Sequence, residues 1–61
     1  MTIKELRAKA GMSQIAFARY FGIPQRTVQD WEAGKSECKS YILALLEYRL
    51  KAEGIIEREE V

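Results

Sequence analysis

The apolar residues of the chain recur every three or four positions, which is the period of amphipathic α-helices rather than that of strands. The first such run carries Ile3, Leu6 and Ala10 on one face. Thr2 and Glu5 have the spacing of a capping box, and Gly11 supplies a residue that can end a helix in left-handed conformation. No segment alternates apolar and polar residues over the length of a strand, so the pattern predicts an all-α fold.

Three more helices follow from the same period and from the residues between them. Ser13 is a good N-cap for a helix over QIAFARYF, and Gly22 ends that helix. Pro24 biases Ile23 towards extended geometry and has the φ of a helix start. A third helix is therefore predicted from about Gln25 to Ala33. The stretch KSECK indicates a loop, and SYILALLEYRLKAE predicts a fourth helix that begins near Ser40.

The predicted organisation is one domain followed by a short C-terminal segment. We expect a compact bundle of four to five short helices over residues 1–53. Gly54 interrupts the fourth helix, and the remaining segment 54–61 predicts either a last turn that contacts a second copy or a frayed tail. A domain of 61 residues buries only about 60% of the surface that its unfolded chain exposes, so its stability is small.

Composition excludes several classes of function. The chain has no histidine and a single cysteine, Cys38, which excludes a histidine-ligated metal, a histidine base and a disulfide framework. The sequence has no phosphate-binding glycine loop and no catalytic triad, so we expect no enzymatic activity, no cofactor and no metal. The charged N-terminus and the absence of a long apolar run predict a cytoplasmic protein without a membrane span. A lone loop cysteine is expected to be incidental rather than a redox sensor.

The charges are unevenly distributed, although the net charge is only +1. Bases outnumber acids up to residue 39, whereas acids outnumber bases from residue 40 onward. A basic front is compatible with nucleic-acid binding, although solvated charge on ordinary helices would produce the same count.

The second and third predicted helices are joined by only a few residues, which indicates a helix-turn-helix. Ala18 is small enough to let the helices approach, and Gly22 can take the turn without a Cβ penalty. Ile23, Val28 and Trp31 would fill the angle between them. With about 100° of rotation per residue, the opposite, solvent side of the third helix carries Gln25, Arg26, Gln29 and Asp30.

The segment GMSQIAFARYFGIPQRTVQDWEAGK resembles the phage-repressor helix-turn-helix family of Cro/XRE-like DNA-binding domains. The resemblance spans about residues 3–50, and its specific parts are the helix-turn-helix core and the Trp31-Glu32-x-Gly34 run. It implies a lambda-repressor-like fold and a sequence-specific transcription regulator, a repressor that acts by operator occupancy. The alternatives are an antitoxin-like module and an adaptor whose main partner is another protein.

The resemblance also implies which side chains meet double-stranded DNA. In such motifs the N-terminal part of the second helix of the motif, called the recognition helix, presents side chains to base edges in the major groove. In this chain that helix is the third predicted helix. The predicted base contacts are Gln25, Arg26, Gln29 and Asp30. Glutamine can pair with adenine and arginine with guanine through two hydrogen bonds each, and Asp30 could accept from cytosine but would also repel phosphates. An ordinary hydrated helix face is the competing interpretation.

Further roles follow by position in the family. The predicted phosphate contacts are Gln14, Thr27, Lys35 and Lys39, which would position the protein without reading sequence. Gln14 matches a glutamine that also supports the recognition helix. Lys39 stands where the family usually has a proline, so the resemblance does not fix the start of the fourth helix. Arg7 and Glu32 match a structural ion pair that ties the first helix to the third.

The fourth predicted helix is apolar on two sides, whereas a surface helix of a monomer needs only one apolar stripe. One strip consists of Tyr41, Ala44, Leu45, Tyr48 and Ala52. The other consists of Ile42, Leu43, Leu46 and Leu50, and the tail adds Ile55, Ile56 and Val61. We expect a homodimer through this helix and the tail, which would read a palindromic operator with half-sites about 34 Å apart. The competing interpretation is that the core of the monomer uses both strips.

Overall fold

The computed structural model describes residues 1–56 and contains no strand in that range. Its four helices are α1 (Ile3–Ala10), α2 (Gln14–Phe21), α3 (Gln25–Ala33) and α4 (Ser40–Ala52). The all-α fold with a helix-turn-helix is therefore confirmed. The expectations for the last residues, including Val61, lie outside the described residues, and the division of the chain at residue 53 stays a prediction.

The starts of the first two helices follow from local hydrogen bonds. The hydroxyl of Thr2 accepts from the Glu5 N–H at 3.1 Å, and the Glu5 carboxylate accepts from the Thr2 N–H at 2.8 Å, which completes the predicted capping box. The Ser13 hydroxyl accepts from the Ala16 N–H at 3.1 Å. These bonds satisfy backbone donors that the first turn of a helix leaves unpaired.

Helices α3 and α4 begin without a side-chain cap. Pro24 and Lys39 are their N-cap residues, and neither side chain accepts a backbone N–H. Pro24 thus precedes the first residue of α3. Helix α4 begins at Ser40 as the sequence predicts, although a lysine with φ of −58° stands where the family usually has a proline.

The turn between α2 and α3 depends on the backbone of Gly22. This residue has φ 69° and ψ 31°, in the left-handed region. The next amide, that of Ile23, donates to the carbonyl oxygen of Ala18 at 2.9 Å. The helix therefore ends within one residue, and the chain can reverse into α3 after only two more residues.

The core lies between the four helices and draws on all of them. The buried residues are Ile3, Leu6, Phe17, Ala18, Val28, Leu46, Leu50 and Ile56. Helix α3 packs against α2 and α1, and α1 also packs against α4. Helix α1 thus packs against both α3 of the helix-turn-helix and α4.

The two apolar strips of α4 have different environments. Leu46 and Leu50 are buried and Ile42 and Leu43 are half-buried, so this strip is the core side of the helix. The strip that contains Tyr41 is exposed along its length, as described below. Helix α4 is therefore a surface helix with one face in the core and a second apolar face in solvent.

The tail contributes to the core, contrary to the expectation that Ile56 adds apolar surface. The chain reverses at Gly54, where φ is 73°, and the amides of Ile55 and Ile56 both donate to the Leu50 carbonyl oxygen, at 2.9 and 3.4 Å. Ile56 is consequently only 9% exposed. A helix end of this kind commonly folds an apolar residue back onto the last turn.

A polar cluster joins α2 to the end of α4. The Tyr20 hydroxyl donates a hydrogen bond to the Glu53 carboxylate, and the Arg49 guanidinium lies 5.4 Å from the centre of the Tyr20 ring. The hydrogen bond to Glu53 raises the pKa of Tyr20, because loss of the proton would place two negative charges together.

Candidate nucleic-acid interface

Helix α3 has one face in the core and one in solvent. Val28 is fully buried and Trp31 is half-buried, whereas Gln25, Arg26 and Gln29 are exposed. These five residues lie where the helical period predicts them. Asp30 is the exception among the expected solvent positions, because its side chain is only 26% exposed.

Helix α3 is anchored to α1 by a two-point ion pair. The Nε of Arg7 is 2.6 Å from Oε2 of Glu32, and its Nη2 is 3.0 Å from Oε1 of the same carboxylate. The exposed fractions of the two side chains are 19% and 8%. A planar guanidinium and a carboxylate joined in this way restrict each other's orientation, so the pair fixes geometry as well as charge.

The same carboxylate also reaches α2. The side-chain amide of Gln14 donates to Oε1 of Glu32 at 3.2 Å, and Nη1 of Arg7 donates to the Met12 carbonyl oxygen at 3.0 Å. Glu32 therefore connects three helices. Sequence spacing could not predict the contacts to Gln14 and Met12, because they depend on how α1 and α2 cross α3.

The network keeps both of its charged groups ionised. The hydrogen bonds from Arg7 lower the pKa of the Glu32 carboxyl by more than burial raises it, and the bond from Gln14 adds a smaller lowering. The hydrogen bonds to Glu32 in turn raise the pKa of Arg7. At neutral pH both groups are thus charged, and the ion pair joins α1 to α3.

Comparison with known proteins decides what this arrangement is. A family model described as Helix-turn-helix matches residues 3–51. The chain belongs to this family. The family is the Cro/XRE type, a family of DNA-binding transcription-regulator domains and not a family of enzymes. No curated protein and no solved structure gives a significant match to the chain.

The second helix of the helix-turn-helix is α3, the predicted recognition helix, and it carries an ion pair on its solvent face. Nε of Arg26 lies 3.3 Å from Oδ1 of Asp30, one helical turn further along. The exposed fraction is 77% for the Arg26 side chain. Two of the four residues predicted to contact bases therefore contact each other.

The residues predicted to contact phosphates lie in α2, in α3 and in the loop that follows α3. Gln14 is the first residue of α2, and Thr27 is a half-buried residue of α3. Lys35 and Lys39 are exposed at the two ends of the loop that follows α3. The Lys39 ammonium is 4.0 Å from the exposed carboxylate of Glu37, a contact that solvent and salt weaken strongly.

The described residues contain neither a cluster of metal-ligating side chains nor a membrane-spanning helix. Within residues 1–56 no three acidic or cysteine side chains are grouped as metal ligands would be, and every helix of that range is too short or too polar to traverse a bilayer. Burial raises the pKa of the Cys38 thiol, which lowers the fraction of the reactive thiolate at neutral pH.

Proposed function

We propose that this helix-turn-helix protein is a transcriptional repressor that recognises a specific operator and acts by occupying it. The observation that supports this proposal is the exposure of Gln25, Arg26 and Gln29 on a helix whose other face is buried. Such side chains can read adenine and guanine edges in the major groove. The anchored recognition helix presents them with little conformational freedom, which favours sequence-specific binding.

Contacts to the DNA backbone would set the position of the recognition helix. Gln14 lies at the start of α2, where free backbone amides attract a phosphate. Thr27, Lys35 and Lys39 complete the proposed set of phosphate contacts. Asp30 is the weakest member of the base-contacting set, because its carboxylate repels the phosphates that flank the groove.

We further propose a homodimer on a palindromic operator, which the exposed strip on α4 supports. Tyr41, Leu45 and Tyr48 are 65%, 64% and 72% exposed in the single chain, and contiguous apolar surface of this kind marks interaction sites. The same strip is the observation that favours the second candidate, an antitoxin-like or adaptor module. In that case another protein would cover the strip, and DNA binding would be secondary or lost.

Selection of bound sites from random duplex DNA tests the proposal. Affinities for the selected site are then measured over a range of salt concentrations for the parent, Gln25→Ala and Arg26→Ala. Each substitution is expected to weaken specific binding by about 1–3 kcal/mol without loss of helicity. Arg19→Ala is the matched control, because it removes an exposed charge from α2 and should leave the preferred sequence unchanged.

Three results would contradict parts of this proposal. If both recognition-helix variants bound the selected site as tightly as the parent, α3 would not be the reading element. If the protein bound no DNA even at low salt, only the adaptor would remain as a candidate function. Co-purification of a second protein in fixed ratio would favour the antitoxin-like module.

A further inference from the structure

Asp30 and Arg26 form the charged pair of the recognition helix that is free to meet DNA. The third charged residue of α3, Glu32, is engaged by Arg7 and Gln14. Asp30 is 26% exposed and Arg26 is 77% exposed, so the carboxylate is the more buried partner of the two. The position of the arginine head is therefore set in part by Asp30.

The atom that Asp30 engages determines which donors Arg26 has left. The contact is made to Nε, whose single N–H lies on one edge of the planar guanidinium. The donors on Nη1 and Nη2 remain, and they form a fork at the end of the side chain. Two parallel donors of this kind match O6 and N7 of guanine in the major groove.

The same carboxylate disfavours contact of Arg26 with the DNA backbone. A phosphate that approached the guanidinium would also approach Asp30, and the two negative charges would repel each other. Guanine presents acceptors without a full charge, so its approach is penalised less. The pair thus reduces sequence-independent binding, which depends on phosphate neutralisation, more than it reduces base recognition.

We propose that Asp30 is a specificity-determining positioning residue that holds Arg26 towards guanine and away from phosphate. This role differs from the direct contact with cytosine that the sequence predicts for Asp30. It rests on the proposed function, because it requires α3 to enter the major groove. It also names the base that faces Arg26.

A double-mutant cycle tests the proposal. Sites are selected from random DNA with the parent and with Arg26→Ala, and the position that loses its guanine preference is the one that faces Arg26. Dissociation constants for the selected site, for sites altered at that position and for a random duplex are then measured at several salt concentrations. The proteins are the parent, Asp30→Asn, Arg26→Ala and the double variant, each checked for helicity by circular dichroism.

Asp30→Asn is expected to tighten binding to the random duplex and to steepen its salt dependence, because Arg26 becomes free to contact a phosphate. The preference for guanine at the Arg26 position is expected to fall by about 2- to 10-fold, which is the scale of immobilising one long side chain. In the Arg26→Ala background the same substitution should change no base preference. Glu37→Gln is the control, since it removes an exposed acid outside α3 and should affect all sequences alike.

Three outcomes would overturn the proposal. If Asp30→Asn altered base preference in the Arg26→Ala background, Asp30 would read a base itself. If it strengthened binding to every sequence equally, its effect would be plain repulsion of DNA. If the parent showed no salt-dependent binding to any duplex, both the proposed function and this inference would fail. That result differs from the first two outcomes because the parent itself would not bind DNA.

Discussion

Glu32 links the first three helices through the hydrogen bonds of its side chain. Its carboxylate is 8% exposed, and it accepts hydrogen bonds from side chains of both α1 and α2. Removal of the charge would leave the Arg7 guanidinium largely desolvated and without a counterion. Loss of one partner of a buried pair is costly for this reason, even where formation of the pair contributes little.

Glu32→Gln is therefore expected to lower the free energy of unfolding by about 1–3 kcal/mol, between the values for exposed and buried pairs. A chain of 61 residues has about 3–9 kcal/mol in total, so the loss is a large share. Urea and thermal unfolding measure it, with Glu37→Gln as the exposed control. Equal melting temperatures for Glu32→Gln and the parent would show that the pair is superficial.

The same carboxylate makes stability depend on pH in the acid range. The hydrogen bonds from Arg7 lower the pKa of Glu32 below its ordinary value of 4.5, and the Thr2 backbone amide lowers the pKa of Glu5. A lowered carboxyl pKa adds stability above the unfolded-state value and loses it as the pH falls through the folded-state value. We expect the urea midpoint to fall on acidification below about pH 4.5.

In Glu32→Gln this acid-dependent loss should be smaller, because one of the linked carboxyls is gone. Glu5→Gln serves as the comparison, since Glu5 lies at an exposed helix start and should account for the lesser part. If the urea midpoint of Glu32→Gln fell on acidification as steeply as that of the parent, the pH dependence of stability would not arise from the Glu32 network.

At the scale of the elements, α4 begins, like α3, without a side-chain cap. Its N-cap is Lys39, and no side chain accepts the first backbone amides. Lys39→Ser is expected to stabilise the protein by about 1 kcal/mol relative to Lys39→Ala. For a domain of this size such a gain raises the melting temperature by about 4–8 °C.

The two variants share the loss of the lysine charge, so their difference isolates the cap. Both should bind random DNA less tightly than the parent if Lys39 contacts a phosphate, and both should show a flatter salt dependence. A melting temperature for Lys39→Ser no higher than that of Lys39→Ala would contradict the cap argument and leave the DNA argument intact.

Much of the fold could be predicted because the signals are local. The capping box of Thr2 and Glu5 and the left-handed Gly22 act within one turn of helix, so sequence spacing is sufficient to find them. The solvent side of α3 follows from the helical period alone, as the exposure of Gln25 and Arg26 illustrates.

The remaining features depend on how helices cross, and no sequence period encodes that. The bond from Gln14 to Glu32 requires α2 and α3 to meet at one angle. The burial of Ile56 requires the chain to reverse at Gly54 and return along α4. The pairing of Arg26 with Asp30 was not predicted either, because the spacing permits such a bridge but equally permits two independent side chains.

For the molecule as a whole, the exposed strip of α4 is the feature that a single chain does not explain. A scattered exposed apolar residue is normal, but Tyr41, Leu45 and Tyr48 follow one another on a single helix face and each is more than 60% exposed. The opposite face of the same helix already serves the core. The proposed partner for the strip is a second copy, with the two recognition helices related by a two-fold axis.

Leu45→Lys is expected to abolish the dimer while leaving the fold intact, because the side chain is 64% exposed in the single chain and makes little contribution to the core. Sedimentation at high micromolar concentration, alone and with operator DNA, measures the assembly. Ile15→Lys is the matched control, since Ile15 is a large apolar residue, 46% exposed, on α2. A parent that sediments as one protomer in both conditions, on an asymmetric site, would contradict the dimer.

The left-handed backbone of Gly22 has a stereochemical consequence. An L-alanine there would meet no atom within 4 Å, so its cost would be dihedral strain alone, about 1–2 kcal/mol. The mirror-image residue, D-alanine, favours φ near 69°, and it would instead narrow the unfolded ensemble and stabilise the protein by about 0.4–1 kcal/mol. Chemical synthesis of the two diastereomers and comparison of their free energies of unfolding would separate the effect of backbone handedness from that of the added methyl group, because they differ only in the configuration of one carbon atom.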